Sequence, residues 1–206
     1  ACALLLRAKA EIGMQCNNQN TALHLAARAN HLDTVNFLIS NKCPLNSRNG
    51  NGWTALTWAS ARGLSNIVEA LLQAQAKVCV PDTDGRTEAM WAARHGHTKV
   101  AKSLLDKGGF DLSLRDREGM SLADHARNYV EIHRALLDAE AANQGLLTAV
   151  QRNDATSVAR CIKDGANVNA KDDNGWTALT WSMMHKSVDL VRLLAQYNAD
   201  PEVLVT

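Results

Sequence analysis

The chain has 206 residues, and 46% of them are hydrophobic, which is ordinary for a globular protein. Its 22 basic and 21 acidic residues leave a net charge of +1, which offers no electrostatic footprint for nucleic acid or for an anionic membrane. No segment approaches the roughly 20 apolar residues needed to span a bilayer. We therefore expect neither nucleic-acid binding nor membrane insertion.

The five cysteines are odd in number and widely spaced, so they match neither a CxxC metal pair nor a small disulfide framework. We expect reduced thiols, which are typical of a cytoplasmic or nuclear protein. Cys161 stands where a helix otherwise carries a leucine such as Leu71, and there cysteine behaves as a small hydrophobe.

A duplicated segment organises the chain, because NGWTALTWAS at residues 51–60 returns as NGWTALTWS at residues 174–182. The threonine or serine that marks each copy stands at Thr21, Thr54, Thr87, Ser121 and Thr177. The steps between these marks are 33, 33, 34 and 56 residues, and the longest step contains a degenerate copy at Gln144. A fixed period of this size predicts stacked structural repeats.

Each copy predicts a short apolar helix, a second helix and a polar turn. Residues 1–10 resemble a second helix without its first, so we expect an array that begins before residue 1. Four repeats follow to residue 137, the last of them shortened. Residues 138–145 have helix-forming composition and predict a helical join. Two further repeats fill residues 146–206, and we expect the array to continue beyond them.

The 33-residue period, the start Thr21-x-Leu23-His24 and the turn Asp82-x-x-Gly85-x-Thr87 together resemble the ankyrin repeat. The resemblance implies an all-α solenoid of stacked helix-turn-helix units with hairpin-like loops and no extended sheet. It also implies a non-catalytic scaffold for protein–protein interaction, whose partner binds the concave groove and the hairpin tips. His24 would tie its repeat to the neighbouring loop.

All five tryptophans lie in a turn or in a first helix, namely Trp53, Trp58, Trp91, Trp176 and Trp181. Tryptophan is enriched at binding hot spots, and Trp58 and Trp91 share one register position in adjacent repeats. We expect these two to form one surface with Arg62 and Arg94. Packing within the fold is the competing interpretation, and it is favoured for Trp53 and Trp176.

The remaining candidates for partner binding stand beside the tryptophans, at positions that vary between ankyrin repeats. They are Arg86, His95, Met120, Met184 and His185. As a group, the candidates predict a basic and aromatic groove that suits an acidic or apolar peptide.

Other chemistry has little support in the sequence. His95, His97 and His133 come nearest to a metal cluster, but no carboxylate or thiol has matching spacing, so we expect no metal, cofactor or catalytic residue. Two alternatives stay open: sensing of a nucleotide-like ligand between Trp and Arg side chains, and an accessory array within a larger enzyme or signalling protein. The resemblance also implies that Asn46 and Asn169 occupy a position that is hydroxylated in the family.

Overall fold

A computed structural model describes residues 12–107, 112 and 114–201. The chain divides into two compact units. Unit 1 comprises Ala1–Leu104 and Leu114–Ile132, and unit 2 comprises Leu105–Ser113 and His133–Thr206. The expected partial repeat at residues 1–10 and the expected continuation after residue 201 lie outside the described residues.

Unit 1 contains paired short helices, one pair per repeat. These are α1 (Ala22–Arg28), α2 (Leu32–Ser40), α3 (Ala55–Ala61), α4 (Ser65–Gln73), α5 (Glu88–Arg94), α6 (Thr98–Lys107, of which the start belongs to unit 1) and α7 (Leu122–Ala126). The first helices α1, α3, α5 and α7 pack side by side in chain order. Buried alanines such as Ala59 and Ala92, which have no exposed surface, let these helices approach closely.

Unit 2 holds most of α8 (Val130–Gln151), together with α9 (Ala155–Lys163), α10 (Ala178–Met184) and α11 (Val188–Gln196). Its core is aliphatic and centres on Leu146, Val150, Val158, Leu190 and Leu194. Cys161 packs against this core, in the hydrophobic role that its position predicts.

The recurring threonine or serine marks the start of each first helix for a physical reason. The hydroxyl oxygens of Thr54, Thr87, Ser121 and Thr177 accept the backbone N–H three residues later. Such an N-cap satisfies one of the donors that a helix start leaves open. The turn before the cap needs a left-handed residue, and Gly85 has φ 79° there. In the first repeat Gln19 fills this position with φ 59°.

His24 joins the first two repeats, as the ankyrin resemblance implies. Its Nδ1 accepts the backbone N–H of Thr21 at 3.1 Å, so its Nε2–H donates to the carbonyl of Trp53 at 2.9 Å. Burial lowers the pKa of His24, although the carbonyls of Trp53 and Ser47 act in the opposite sense. The neutral ring is therefore the form that the fold favours.

The expectation of an all-α repeat fold is confirmed. Among the described residues, bridge pairing is limited to Arg115 with Ser121 and Lys171 with Thr177, and neither pair extends into a strand. Residues 138–145 lie inside the continuous helix α8. The domain boundaries at residues 137 and 146 remain our proposal.

Candidate partner-binding surface

A turn carboxylate anchors the tryptophan of a first helix in both units. Asp82 Oδ2 accepts the indole N–H of Trp91 at 2.9 Å, and Asp172 Oδ2 accepts the indole N–H of Trp181 at 2.9 Å. In both pairs the tryptophan follows the aspartate by nine residues. The acid lies in the turn before the N-cap and the ring lies one turn into the helix, so the bond fixes the ring on the helix surface.

In unit 1 a second tryptophan reaches the same carboxylate from the preceding repeat. Trp53 donates its indole N–H to Asp82 Oδ2 at 3.0 Å. The other oxygen, Asp82 Oδ1, accepts the backbone N–H groups of Asp84 and Arg86. One buried carboxylate therefore closes its own turn and holds two half-buried indole rings from adjacent repeats.

The three tryptophans of unit 1 form one cluster, with Trp53 in the middle. Its ring centroid lies 4.5 Å from that of Trp58 and 4.9 Å from that of Trp91, at interplanar angles of 65° and 59°. Tilted and edge-to-face pairs of this kind are favourable beyond the area that they bury. The shared register position predicted that Trp58 and Trp91 lie side by side. In the structure the Trp53 ring lies between their rings.

In the third repeat, Arg86 occupies the sequence position that Trp53 occupies in the second, directly before the N-cap threonine. Its Nε donates to Asp116 Oδ2 at 3.1 Å and its Nη2 donates to Glu118 at 2.7 Å. His125 meets the same oxygen of Asp116 at 3.0 Å. Burial opposes ionisation of Asp116, yet hydrogen bonds from Met120, His125 and Arg86 outweigh it and lower the pKa. Arg86 is only 8% exposed, so its guanidinium acts within the fold.

Trp58 lacks the acceptor that the other first-helix tryptophans have. Its indole N–H is buried without a hydrogen-bond partner among the described residues. The turn position that holds Asp82 in the next repeat holds Asn49 here. Asn49 Oδ1 closes the turn, and Asn49 Nδ2, which is a donor, points to Asn20 Oδ1 at 2.9 Å. Arg28 covers the Trp58 ring at 5.8 Å.

Exposed cations and an imidazole border the tryptophan cluster. Arg62 follows α3, Arg94 ends α5, and both are exposed. The exposed ring of His95 stacks on Trp91 at 5.9 Å with a 12° interplanar angle. Burial lowers the pKa of His95, and the charges of His97 and Arg94 add to this effect. Met120 is half-buried at the adjacent hairpin tip.

Unit 2 carries a smaller cluster of the same design. Trp176 and Trp181 lie 4.9 Å apart, and His185 stacks on Trp181 at 6.1 Å. Met183 and Met184 extend the exposed part of this surface, with exposed fractions of 50% and 61%. The assignment of both clusters to partner binding remains a proposal.

Sequence reasoning missed the turn residues Asp82, Asp172 and Asn49 that determine how the rings are held. The available signal was the nine-residue spacing from an acidic residue to the aromatic of the first helix. That spacing occurs from Asp82 to Trp91, from Asp172 to Trp181, and again from the acid to the histidine in repeat 4.

Glu88 is a buried carboxyl group beside this cluster. It has no exposed surface, its Oε1 accepts the backbone N–H of Val80 at 3.3 Å, and its Oε2 has no hydrogen-bond partner among the described residues. Burial raises its pKa to about 7, the charge of Asp82 adds to the shift, and backbone N–H groups oppose it.

The described residues show no other obvious chemistry. No three of their His, Cys, Asp or Glu side chains are grouped to hold a metal ion. The helices described are too short or too polar to cross a membrane. A cavity of about 480 Å³ in unit 2 is lined by α8 and α9 residues that include Thr148, Arg152, Arg160 and Cys161, and none of the tryptophans reaches it.

Models of known families match most of this chain. A model of ankyrin repeats in three copies matches residues 1–82 and 143–204, and a single ankyrin repeat matches residues 84–117. The chain belongs to the ankyrin repeat family. Ankyrin repeats are generally protein–protein interaction modules and are typically non-catalytic.

Curated relatives of this ankyrin repeat chain are longer proteins. Rabankyrin-5 of Mus musculus is 32% identical over 199 residues, which cover 84% of the chain and 17% of that protein. Rabankyrin-5 of Homo sapiens is 31% identical with the same coverage. The potassium channel AKT2/3 of Arabidopsis thaliana is 31% identical over 146 residues, covering 67% of the chain and 18% of the channel. The chain thus spans about a sixth of the length of these proteins.

Proposed function

We propose that this chain is a non-catalytic scaffold that binds another protein through the tryptophan cluster of unit 1 and the smaller cluster of unit 2. The observation that carries the proposal is the convergence of Trp53 and Trp91 on Asp82, which holds large, half-buried rings in place. Rings fixed before binding lose little conformational entropy when a partner arrives, and this favours affinity. Tryptophan also gives large contact energies at interfaces.

A site for a nucleotide-like ligand between Trp and Arg side chains has less support. Arg28 already covers one face of Trp58, and Arg86 lies 5.4 Å from the centroid of Trp91. A flat ligand would have to displace these guanidinium groups before it could stack. An accessory array in a larger enzyme or signalling protein stays compatible with the scaffold proposal, since the relatives that this chain matches are much longer than the chain.

A cytoplasmic or nuclear location belongs to the same proposal. Cys16, Cys43 and Cys161 form no disulfide in the described part of the chain. Reduced thiols of this kind are usual in compartments such as the cytosol and the nucleus.

The test compares partner capture by the wild-type chain with capture by Trp58→Ala and by Arg62→Ala with His95→Ala. A matched control, Lys163→Ala, changes an exposed residue at the end of α9. We expect a set of proteins that the wild type and the control retain and that both surface variants lose, with capture performed well below the thermal midpoint of each variant. Direct titration of a captured protein should then show the same ranking of affinities. Equal capture by all four chains would contradict the proposed surface.

A further inference from the structure

The first helices of unit 1 all end at an arginine. Arg28 and Arg94 are the last residues of α1 and α5, and Arg62 and Arg127 directly follow α3 and α7. All four side chains are exposed. Because these helices pack side by side, and packed helix axes lie about 8–10 Å apart, the four helix ends that carry these arginines form a row across the repeats. We call it the arginine row.

The arginine row has little counter-charge within the fold. None of its members has a carboxylate within 4.0 Å among the described residues, although surface ion pairs such as Lys99–Glu69 occur elsewhere. The first helices of unit 1 contain two acidic residues. Glu88 is buried. Hydrogen bonds from Ser121 lower the pKa of Asp124, and the charges of Arg115, at 3.8 Å, and of Arg127 add to this shift, so Arg127 is the one member of the row with an acidic neighbour among the described residues. The chain has a net charge of only +1, so the row is a local excess of positive charge.

An apolar row runs beside the arginine row, three or four residues earlier in the helices. Leu25, Trp58 and Trp91 share this register, and Leu25 is 41% exposed although it is a large aliphatic residue. Residues three or four apart lie on the same face of a helix. A partner on this face would therefore meet apolar and cationic groups alternately in each of three successive repeats.

We infer that this surface of unit 1 binds an acidic peptide segment with interspersed apolar residues, extended across the first helices. The inference rests on the proposed scaffold function and names the chemistry of its partner. Glutamate or aspartate carboxylates would accept charge-assisted hydrogen bonds from the arginine row, and the fork of each guanidinium allows two parallel bonds. Apolar side chains of the segment would contact Leu25, Trp58 and Trp91.

The dimensions give the length of the segment. Three steps of about 8–10 Å between four packed helices span roughly 27 Å. An extended chain advances about 3.3 Å per residue, so about eight residues cover the row. Complementary charge of this kind mainly speeds association and selects against neutral or basic partners.

Single-stranded nucleic acid is the competing occupant, because it also combines negative charge with groups that stack on tryptophan. The geometry favours the peptide. The Trp91 ring lies against His95 on one side and near Arg86 and Trp53, and the Trp58 ring is covered by Arg28. These contacts occupy much of the ring surface on which bases would have to stack, whereas carboxylates need only the exposed guanidinium groups.

The test uses four fluorescein-labelled probes of matched length and the whole chain. The first is a peptide of about twelve residues, longer than the span, with leucines among glutamates. In the second peptide glutamine replaces every glutamate, in the third serine replaces every leucine, and the fourth probe is oligouridylate. We expect the first peptide to bind at least about ten-fold more tightly than each of the others and to weaken as salt is added.

Variants locate the binding. Arg62→Gln with Arg94→Gln removes the centre of the arginine row, and Arg134→Gln with Arg192→Gln removes two exposed arginines from other helices. We expect about a ten-fold loss of affinity in the first pair, none in the second, and similar thermal midpoints. Arginine that only stabilises a helix C-terminus would lower the midpoint instead.

The other outcomes are also decisive. Equal binding of the glutamine peptide, equal binding of oligouridylate, or equal loss in both variant pairs overturns the inference. If no peptide binds while Trp58→Ala still abolishes capture of a protein partner, the scaffold function stands and the acidic partner class falls. If Trp58→Ala also leaves capture intact, both proposals fall.

Discussion

Trp53 and Asp82 belong to successive repeats, and the indole N–H of Trp53 donates to Asp82 Oδ2 at 3.0 Å. The stability of a repeat array is approximately a sum of terms for each repeat and for each interface between neighbours. This hydrogen bond contributes to the interface between two neighbouring repeats. It also fixes the ring of Trp53 between those of Trp58 and Trp91, so the residues proposed to bind a partner also hold two repeats together.

Asp82→Asn should destabilise the chain more than Asp172→Asn does. One Asp82 oxygen accepts the N–H groups of two indoles, and the other accepts backbone N–H groups of the turn. The NH2 group of an asparagine would therefore face donors in either orientation of the amide. A buried donor that loses its acceptor costs about 1–3 kcal/mol. We expect the free energy of unfolding, measured in urea, to fall roughly twice as far for Asp82→Asn.

The comparison is matched, because Asp172 closes the same kind of turn but receives a single indole, that of Trp181. If the two substitutions have equal effects, the bond from Trp53 contributes nothing to stability.

Asn49→Asp should stabilise the second repeat. The substitution places an acceptor oxygen where the amide NH2 now lies, in the position from which Asp82 holds Trp91. The buried indole N–H of Trp58 would gain a partner. The Asn20 side chain would have to rotate so that it donates. We expect a net gain of about 1 kcal/mol in the free energy of unfolding.

Trp58→Phe provides the background that isolates this effect, because phenylalanine has no N–H group. In a double-mutant cycle, Asn49→Asp should stabilise the wild-type chain and have no benefit when Trp58 is phenylalanine. The same gain in both backgrounds would show that the effect arises elsewhere.

The period, the helix pairs and the capping positions could be predicted from the sequence, because each depends on local signals that recur every 33 residues. The NGWT segment contains its own turn glycine, its N-cap threonine and the start of its helix. The fold follows once these local units are stacked. The burial of Glu88 could not be predicted in this way. Other repeats carry alanine at this position, and the residues that flank Glu88 in the sequence do not indicate that its side chain is fully buried.

The details of the candidate surface depend on contacts between repeats, which a linear reading of the chain does not supply. The sequence placed Arg86 among the partner-binding candidates, yet Asp116 and Glu118 of the next repeat engage its guanidinium. Similarly, the central place of Trp53 follows from its bond to Asp82, a residue 29 positions away. The shared register position predicted that Trp58 and Trp91 lie in a row, but it did not predict that the Trp53 ring lies between them.

Glu88 should make stability depend on pH near neutrality. Its pKa is about 7 in the folded chain against an ordinary value of 4.5. A carboxyl whose pKa is raised by folding contributes its full stability below about pH 4.5, and this contribution is lost as the pH rises to about 7. The difference corresponds to roughly 3 kcal/mol.

Glu88→Gln removes this ionisation while preserving the shape of the side chain. We expect the free energy of unfolding of Glu88→Gln to rise relative to that of the wild type between about pH 4.5 and pH 7. Above that range the difference between the two should be constant. Urea unfolding at a series of pH values measures it. Glu69→Gln, at a partly exposed position on α4, is the control for the general effect of replacing a glutamate by glutamine. A constant difference between Glu88→Gln and the wild type would contradict the assignment.

Asn46 and Asn169 make equivalent bridges to the loop of the following repeat. Asn46 Oδ1 accepts the backbone N–H of Lys77 at 2.8 Å, and Asn169 Oδ1 accepts that of Asp200 at 2.8 Å. Alanine at either position should cost about 1 kcal/mol in the free energy of unfolding. Aspartate keeps an acceptor oxygen and should cost less, so each Asn→Asp variant is the control for its Asn→Ala variant.

We propose that these two asparagines are also the hydroxylated positions implied by the ankyrin family. A modifying enzyme must detach the side chain from its bridge, so modification should compete with local folding. Peptide mass analysis of the chain made in eukaryotic cells should show one added oxygen on the peptide that contains Asn46, and Asn46→Ala should abolish it. The destabilising Asp82→Asn variant, altered in the turn that follows the Lys77 loop, should carry more of this modification than the wild type. Peptides of unchanged mass at both Asn46 and Asn169, in the wild type and in this variant, would rule the modification out.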